Sequence, residues 1–135
     1  MIPELRLIEG RFGRIWTEAE RGHVVQTLAA AGYGFYHYGP KADRALRRAW
    51  RQRHDPEQTA MLHRLSADVR AAGMRFGIAL TPIGSTHPYD DDARAALARR
   101  VADLDAIGID DLAILFDDLR GDMPGLAARQ ADVVN

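Results

Sequence analysis

Short apolar runs alternate with longer amphipathic stretches along this chain, and glycine or proline marks most changes of period. Leu5-Arg6-Leu7-Ile8 predicts a first short strand. Thr17 predicts a helix start, with Glu20 three residues on as the partner of a capping box. Val24, Val25, Leu28 and Ala31 fall on one side of that helix, and Gly32 supplies its stop. Phe35-Tyr36-His37-Tyr38 predicts a second strand, broken at Gly39-Pro40. A basic stretch follows (Arg44, Arg47, Arg48, Arg51, Arg53), most simply a solvated helix and loop. Asp55-Pro56 then opens a helix expected to reach Ala72 and to stop at Gly73. Arg75 to Leu80 predicts the third strand, ended by Thr81-Pro82. A helix is expected from Asp91 to Ile107, stopped by Gly108. Ala113-Ile114-Leu115-Phe116 predicts a fourth strand, and the stretch from Gly125 to Val134 a final helix.

Four β-α units without a long break place the chain in the α/β class, with a parallel sheet covered by helices. Two architectures compete. A doubly wound sheet normally carries a glycine-rich phosphate loop after its first strand. Here that turn is Glu9-Gly10-Arg11-Phe12-Gly13-Arg14, whose two glycines are too widely spaced for G-x-G-x-x-G. The alternative is the first half of a (β/α)8 TIM barrel, with residues 1–135 as one unit of four parallel β-α repeats. A full barrel takes roughly 250 residues. In that fold function sits at the C-terminal ends of the strands, where Glu9-Gly10, Gly39-Pro40-Lys41, Thr81-Pro82 and Asp117-Asp118 all lie.

Composition narrows the function without choosing it. The chain is 47% hydrophobic and 27% charged, with a net charge of −1, so no net field favours nucleic acid or anionic lipid. No apolar window is long enough to span a bilayer, and the N-terminus lacks a basic segment followed by an apolar one. Cytoplasmic residence is the default expectation. With no cysteine there is no disulfide frame, thiolate metal site or thiol nucleophile. The five histidines show no ligand spacing, and Asp90-Asp91-Asp92 looks like a helix start rather than a calcium loop. No metal or organic cofactor is implied. Trp16 and Trp50 are expected to wedge loop against helix, and His37 to be a core or barrel-mouth side chain.

The chemistry concentrates in Phe116-Asp117-Asp118-Leu119. Burying one carboxylate is costly, and a second beside it raises the pKa of at least one. A strand that ends in such a pair is either strained for chemistry or opens straight into solvent, where aspartate favours turns.

The residues also resemble a known family. Ile8-Glu9-Gly10-Arg11-Phe12-Gly13-Arg14-Ile15-Trp16-Thr17 is similar to the opening E-G-F-Y-G-R-x-W-[ST] of glycoside hydrolase family 84, the β-N-acetylglucosaminidases. Tyr36-His37-Tyr38-Gly39-Pro40-Lys41-Ala42-Asp43 resembles the family's Y-x-Y-A-P-K-D-D after strand two. Arg48-Ala49-Trp50-Arg51 resembles R-x-x-W-R, Leu80-Thr81-Pro82 the strand-three L-S-P, and Phe116-Asp117-Asp118-Leu119 matches F-D-D-I. Gln130 to Asn135 resembles the helix that follows. The match runs in order from Leu7 to the last residue.

The resemblance implies a retaining hydrolase in which the substrate's own acetamido group is the nucleophile, a recognised exception to the carboxylate-nucleophile rule. Asp117 would hydrogen-bond the acetamido N–H, and Asp118 would act first as general acid and then as general base. Both reach one sugar only if the backbone leaves strand geometry, since strand neighbours point to opposite faces; Asp118 is therefore expected in the turn. Gly10 would offer its backbone to a sugar hydroxyl, Lys41 would donate to another, and Asp43 would stand on the same rim. The partner would be a glycan or glycoprotein containing N-acetylglucosamine. The chain departs from the pattern at Arg11, Phe12 and Ala42, which shift the rim without touching the acid-base pair. Later strands of the family supply further sugar-gripping residues, so the chain is expected to be the first half of a longer enzyme or a half that pairs with another chain as a homodimer. A different class of function, a non-catalytic half-barrel that self-associates or binds N-acetylhexosamine, predicts binding without hydrolysis.

Overall fold

In the computed structural model, which describes residues 4–82, 89–117 and 121–135, four strands alternate with four helices. The strands are β1 (Leu5–Glu9), β2 (Tyr33–Tyr38), β3 (Arg75–Leu80) and β4 (Asp111–Ile114), and the helices α1 (Glu18–Ala30), α2 (Pro56–Ala71), α3 (Asp91–Asp105) and α4 (Leu126–Val134). A single 3₁₀ turn, Arg44–Leu46, lies between β2 and α2.

Local chemistry explains where the helices begin and end. Orphan N–H groups of a first turn need acceptors. Thr17 accepts from the Glu20 N–H at 3.2 Å, while the Glu20 carboxylate accepts from the Thr17 N–H at 2.7 Å, so the predicted capping box is complete. Asp55 accepts from the Gln58 N–H at 2.7 Å and Asp90 from the Ala93 N–H at 2.8 Å. The first three helices give way to Gly32, Gly73 and Gly108, with φ of +79°, +82° and +87°, a conformation that glycine adopts without a Cβ penalty.

All three strand pairings are parallel, and the spatial order is the chain order, β1-β2-β3-β4. A doubly wound sheet reverses direction partway and puts helices on both faces. Here Val25 and Leu28 of α1, Leu62, Leu65 and Val69 of α2, Leu97 and Leu104 of α3 and Val133 of α4 all join one core with Tyr36, Tyr38, Phe76, Ile78 and Leu80. The helices therefore cover a single face, and the winding is that of (β/α)8 barrel units, four in number.

The opposite face alternates with the first along each strand. On β3 the large Phe76, Ile78 and Leu80 point to the helices, while Gly77 and Ala79 point the other way. Gly77 is required there, because a Cβ would stand 2.4 Å from Cδ2 of His37 and 2.9 Å from the Asp111 carbonyl. The His37 ring stacks on Phe35 with centroids 4.1 Å apart.

β4 starts and stops two residues earlier than the apolar run suggests. Asp111 pairs with Gly77 and Ile114 with Leu80, and one further bond runs from the Leu115 N–H to the Leu80 carbonyl at 2.8 Å. β3 ends at Leu80, so the ladder has nothing beyond it to pair with. Phe116 is past the strand, and Asp117 lies in a turn.

Candidate functional site

The C-terminal ends of β2, β3 and β4 meet at Asp117. The Lys41 ammonium pairs with Asp117 Oδ2, and the Thr81 hydroxyl donates to Oδ1 at 3.1 Å. β2 and β4 are two strand spacings apart, roughly 10 Å, so the lysine reaches across the end of β3, above the threonine that ends it. Lys41 is largely enclosed, with 10% of its side chain exposed, whereas Asp117 keeps 35%. The carboxylate is held by two donors and still open on one side. A carboxylate has about four lone-pair sites, so an incoming N–H has somewhere to bind.

The loop that presents Lys41 is fixed at several points. Its N–H donates to the Arg11 carbonyl at 3.1 Å, and the Gly39 N–H to the Glu9 carbonyl at 3.2 Å, tying the β2 exit to that of β1. The Lys41 carbonyl accepts from Arg47 at 3.2 Å. The Arg47 guanidinium also lies over the Phe12 ring, 5.5 Å from its centroid. On the β3 side, the Thr81 N–H donates to the Leu46 carbonyl at 2.8 Å.

Gly10 follows β1 at the same end. A Cβ there would meet only Ile8, at 3.6 Å and beyond, so nothing within the described chain demands glycine, and the space above its backbone is open. Its neighbour Glu9 is turned the other way, toward α1. That carboxylate is buried and forms a two-point pair with Arg21, both contacts at 2.9 Å. The Tyr36 hydroxyl donates to the same carboxylate. Burial, with Glu9 beside it, pushes the Tyr36 phenol upward.

Asp43 corrects the expectation of a rim residue. Its side chain is 2% exposed. Oδ2 accepts from the Tyr38 hydroxyl and from His54 Nε2, both at 2.9 Å, and Oδ1 accepts from the Ala45 N–H at 3.0 Å, capping the 3₁₀ turn. Burial works against the ionised form, but the donors, His54 first, outweigh it, and the carboxyl titrates below its ordinary range. The motif position is right for the loop, but the side chain faces inward because the chain turns there, with the Asp43 N–H closing onto the Pro40 carbonyl at 3.0 Å.

Asp118, the second of the paired carboxylates, lies outside the described residues. Arg47 departs from the expected solvated run: it is half-buried and donates to the Lys41 carbonyl, while Leu46 and Trp50 of the same stretch belong to the core. One signal in the sequence bore on this site. Lys41 is the chain's only lysine among 18 lysines and arginines, and a lysine is a compact point charge where arginine is a flat fork. Among the described residues no group of three or more histidines and carboxylates converges as a metal site.

Comparison with known proteins places these features in a family. A family model described as beta-N-acetylglucosaminidase matches residues 6–135. The protein O-GlcNAcases of Rattus norvegicus and Mus musculus are each 28% identical over 120 residues, 87% of this chain and 13% of theirs. Among solved structures, a mutant of the O-GlcNAc hydrolase of Thermobaculum terrenum matches with a TM-score of 0.88 at 26% identity, over 97% of this chain and 30% of that one. The chain thus spans about an eighth of the length of the curated relatives it matches and under a third of the structural one.

Proposed function

Because this chain belongs to the beta-N-acetylglucosaminidase family of glycoside hydrolases, we propose that it carries the acid-base wall of a retaining enzyme whose nucleophile is the 2-acetamido group of the substrate. The observation that carries this reading is Asp117, gripped by Lys41 and Thr81 across three strand exits and open on its remaining side. The acetamido N–H donates to Asp117, which turns the acetamido carbonyl oxygen toward the anomeric carbon. That oxygen forms the new bond as the glycosidic bond breaks, and Asp118 gives its proton to the leaving oxygen. Water then opens the resulting oxazolinium ion, whose N–H stays hydrogen-bonded to Asp117, losing its own proton to Asp118, and the product keeps the β configuration. Gly10 and Lys41 offer a backbone group and an ammonium to sugar hydroxyls. The substrate class is a glycan or glycoprotein bearing β-linked N-acetylglucosamine, and the remaining barrel wall comes from residues outside these four units.

Kinetics of the protein with a closed barrel test the assignment. Asp118→Asn is expected to lower kcat on an alkyl β-N-acetylglucosaminide by roughly 10²–10⁴-fold, and Asp117→Asn by roughly 10²–10³-fold. Proton NMR of the first-formed sugar is expected to show the β anomer. Unchanged turnover in Asp118→Asn, or a first-formed α anomer, sinks the mechanism. A second reading, closure of the half-barrel by another copy, is favoured by Leu5 and Ile8, each 48% exposed on the edge strand β1. Sedimentation of a monomer only, across the micromolar range, removes it.

A further inference from the structure

Beneath the loop that presents Lys41 lies a buried charge cluster that takes no direct part in the reaction above. We propose that Asp43, His54 and Arg100 form a hydrogen-bonded relay that positions Lys41 against Asp117. None of the three touches the sugar face; they are positioning residues.

The geometry fixes the proton in the relay. A guanidinium only donates, and Arg100 approaches His54 Nδ1 at 3.0 Å. Nδ1 must therefore be the acceptor, which places the ring proton on Nε2, where it is donated to Asp43 Oδ2 at 2.9 Å. One neutral tautomer satisfies both neighbours, and the carboxylate and guanidinium compensate one another through the imidazole. All three residues are at most 6% exposed.

The relay closes on the Lys41 loop at a single residue. Asp43 accepts from the Ala45 N–H at 3.0 Å, and Arg100 donates to the Ala45 carbonyl at 3.2 Å. Both backbone groups of Ala45 are thus held from below, while Pro40 and Asp43 close the turn that contains Lys41. α3, which supplies Arg100, and the segment leading into α2, which supplies His54 two residues ahead of the helix, are in this way coupled to the loop in which Lys41 stands two residues before Asp43. Stability alone explains such a cluster poorly, because apolar replacements of buried ionic groups are often neutral or stabilising. Fixing one loop conformation is what apolar packing achieves less well.

The proposal rests on Lys41 and Asp117 forming the sugar-binding pair, but its test reads the lysine itself. Since Lys41 is the only lysine, acetylation by an amine-selective reagent, mapped by mass spectrometry, reports its accessibility without any turnover. In the wild-type full chain labelling of Lys41 is expected to be slow. In His54→Ala it is expected to quicken about tenfold, a change of about 1.4 kcal/mol in local opening. His54 lines a cleft of about 510 Å³ with Pro56, Thr59, Arg100 and Ile107, so added imidazole can enter. Imidazole, which both donates and accepts, is expected to restore slow labelling; 1-methylimidazole, which only accepts, is not. Unchanged labelling in a folded His54→Ala protein, or equal rescue by both azoles, overturns the relay. Should that variant fail to fold, ¹⁵N NMR of wild-type His54 decides: a neutral ring protonated at Nε2 supports the relay, and an Nδ1–H tautomer or an imidazolium at neutral pH refutes it. A protein that shows the expected labelling yet binds no N-acetylglucosamine refutes the sugar site and leaves the relay standing.

Discussion

Three acidic residues at strand ends or in the loops beyond them meet different fates, and strand parity decides only that of Glu9. Glu9 shares the side of Tyr38 in the β1–β2 register and so faces the helices, where only a paired carboxylate is tolerated. Asp43 follows a turn that directs it inward, and Asp117 stands beyond the last rung of β4, half open to solvent. Arg21→Met leaves the Glu9 carboxylate buried with only the Tyr36 hydroxyl, and is expected to cost about 3–5 kcal/mol in urea unfolding; a loss under about 1 kcal/mol rejects the pair as a structural element. Asp43 contributes through its depressed pKa. Its stabilisation is fully present above the unfolded value of about 3.9 and is lost as pH falls through the lower folded value. The acid limb of a stability-pH curve should accordingly be shallower in Asp43→Asn than in the wild-type protein. The motif flagged Asp43 and Lys41 together because they are neighbours in sequence. Nothing in that spacing distinguishes the side chain that pairs with Asp117 from the one that turns inward against His54.

At the scale of the element, helix starts were the most readable part of the chain, since a cap is a contact between residues three apart. Thr17, Asp55 and Asp90 all accept the N–H of the residue three positions on. Thr17→Ala removes the hydroxyl half of the capping box, and is expected to lower stability by about 1 kcal/mol in thermal or urea unfolding. The start of β4 was harder to read. Asp110 and Asp111 look like a lead-in to the apolar run, yet Asp111 is the first strand residue, because Arg75 pairs with it and the His37 ring stands 3.5 Å away. A charged partner on the neighbouring strand makes an aspartate acceptable where local propensity disfavours it. The basic run from Arg44 to Arg53 hid a similar division. Leu46 and Trp50 are buried between arginines that stay at the surface or brace the loop.

For the whole molecule, the one-sided winding creates a second face that no helix among the described residues covers. Its centre holds His37, stacked on Phe35 and seated over Gly77. Burial there lowers the His37 pKa, against the raising influence of Asp111. The unfolded chain then binds a proton that the folded chain resists, so stability is full above the unfolded value of about 6.5 and declines as pH falls below it toward the folded value. Replacing the ring with a side chain that does not titrate, as in His37→Gln, is expected to flatten that part of the stability-pH profile. An unchanged slope just below about pH 6.5 shows that the ring is not desolvated on this face.

The sequence by itself determined the order of the elements, the caps that start the helices, the glycines that stop them, and the ordered motifs of a glycosidase family. Each of these is written in contacts between near neighbours or in the identity of single residues. Only the tertiary structure decided that Lys41 and Thr81 converge on Asp117, that Asp43 and Glu9 face inward, and that His54 and Arg100 support the loop from below. Those outcomes depend on register between strands and on which side of the sheet the helices wind. Both are set by packing residues dozens of positions apart, and no local pattern records them.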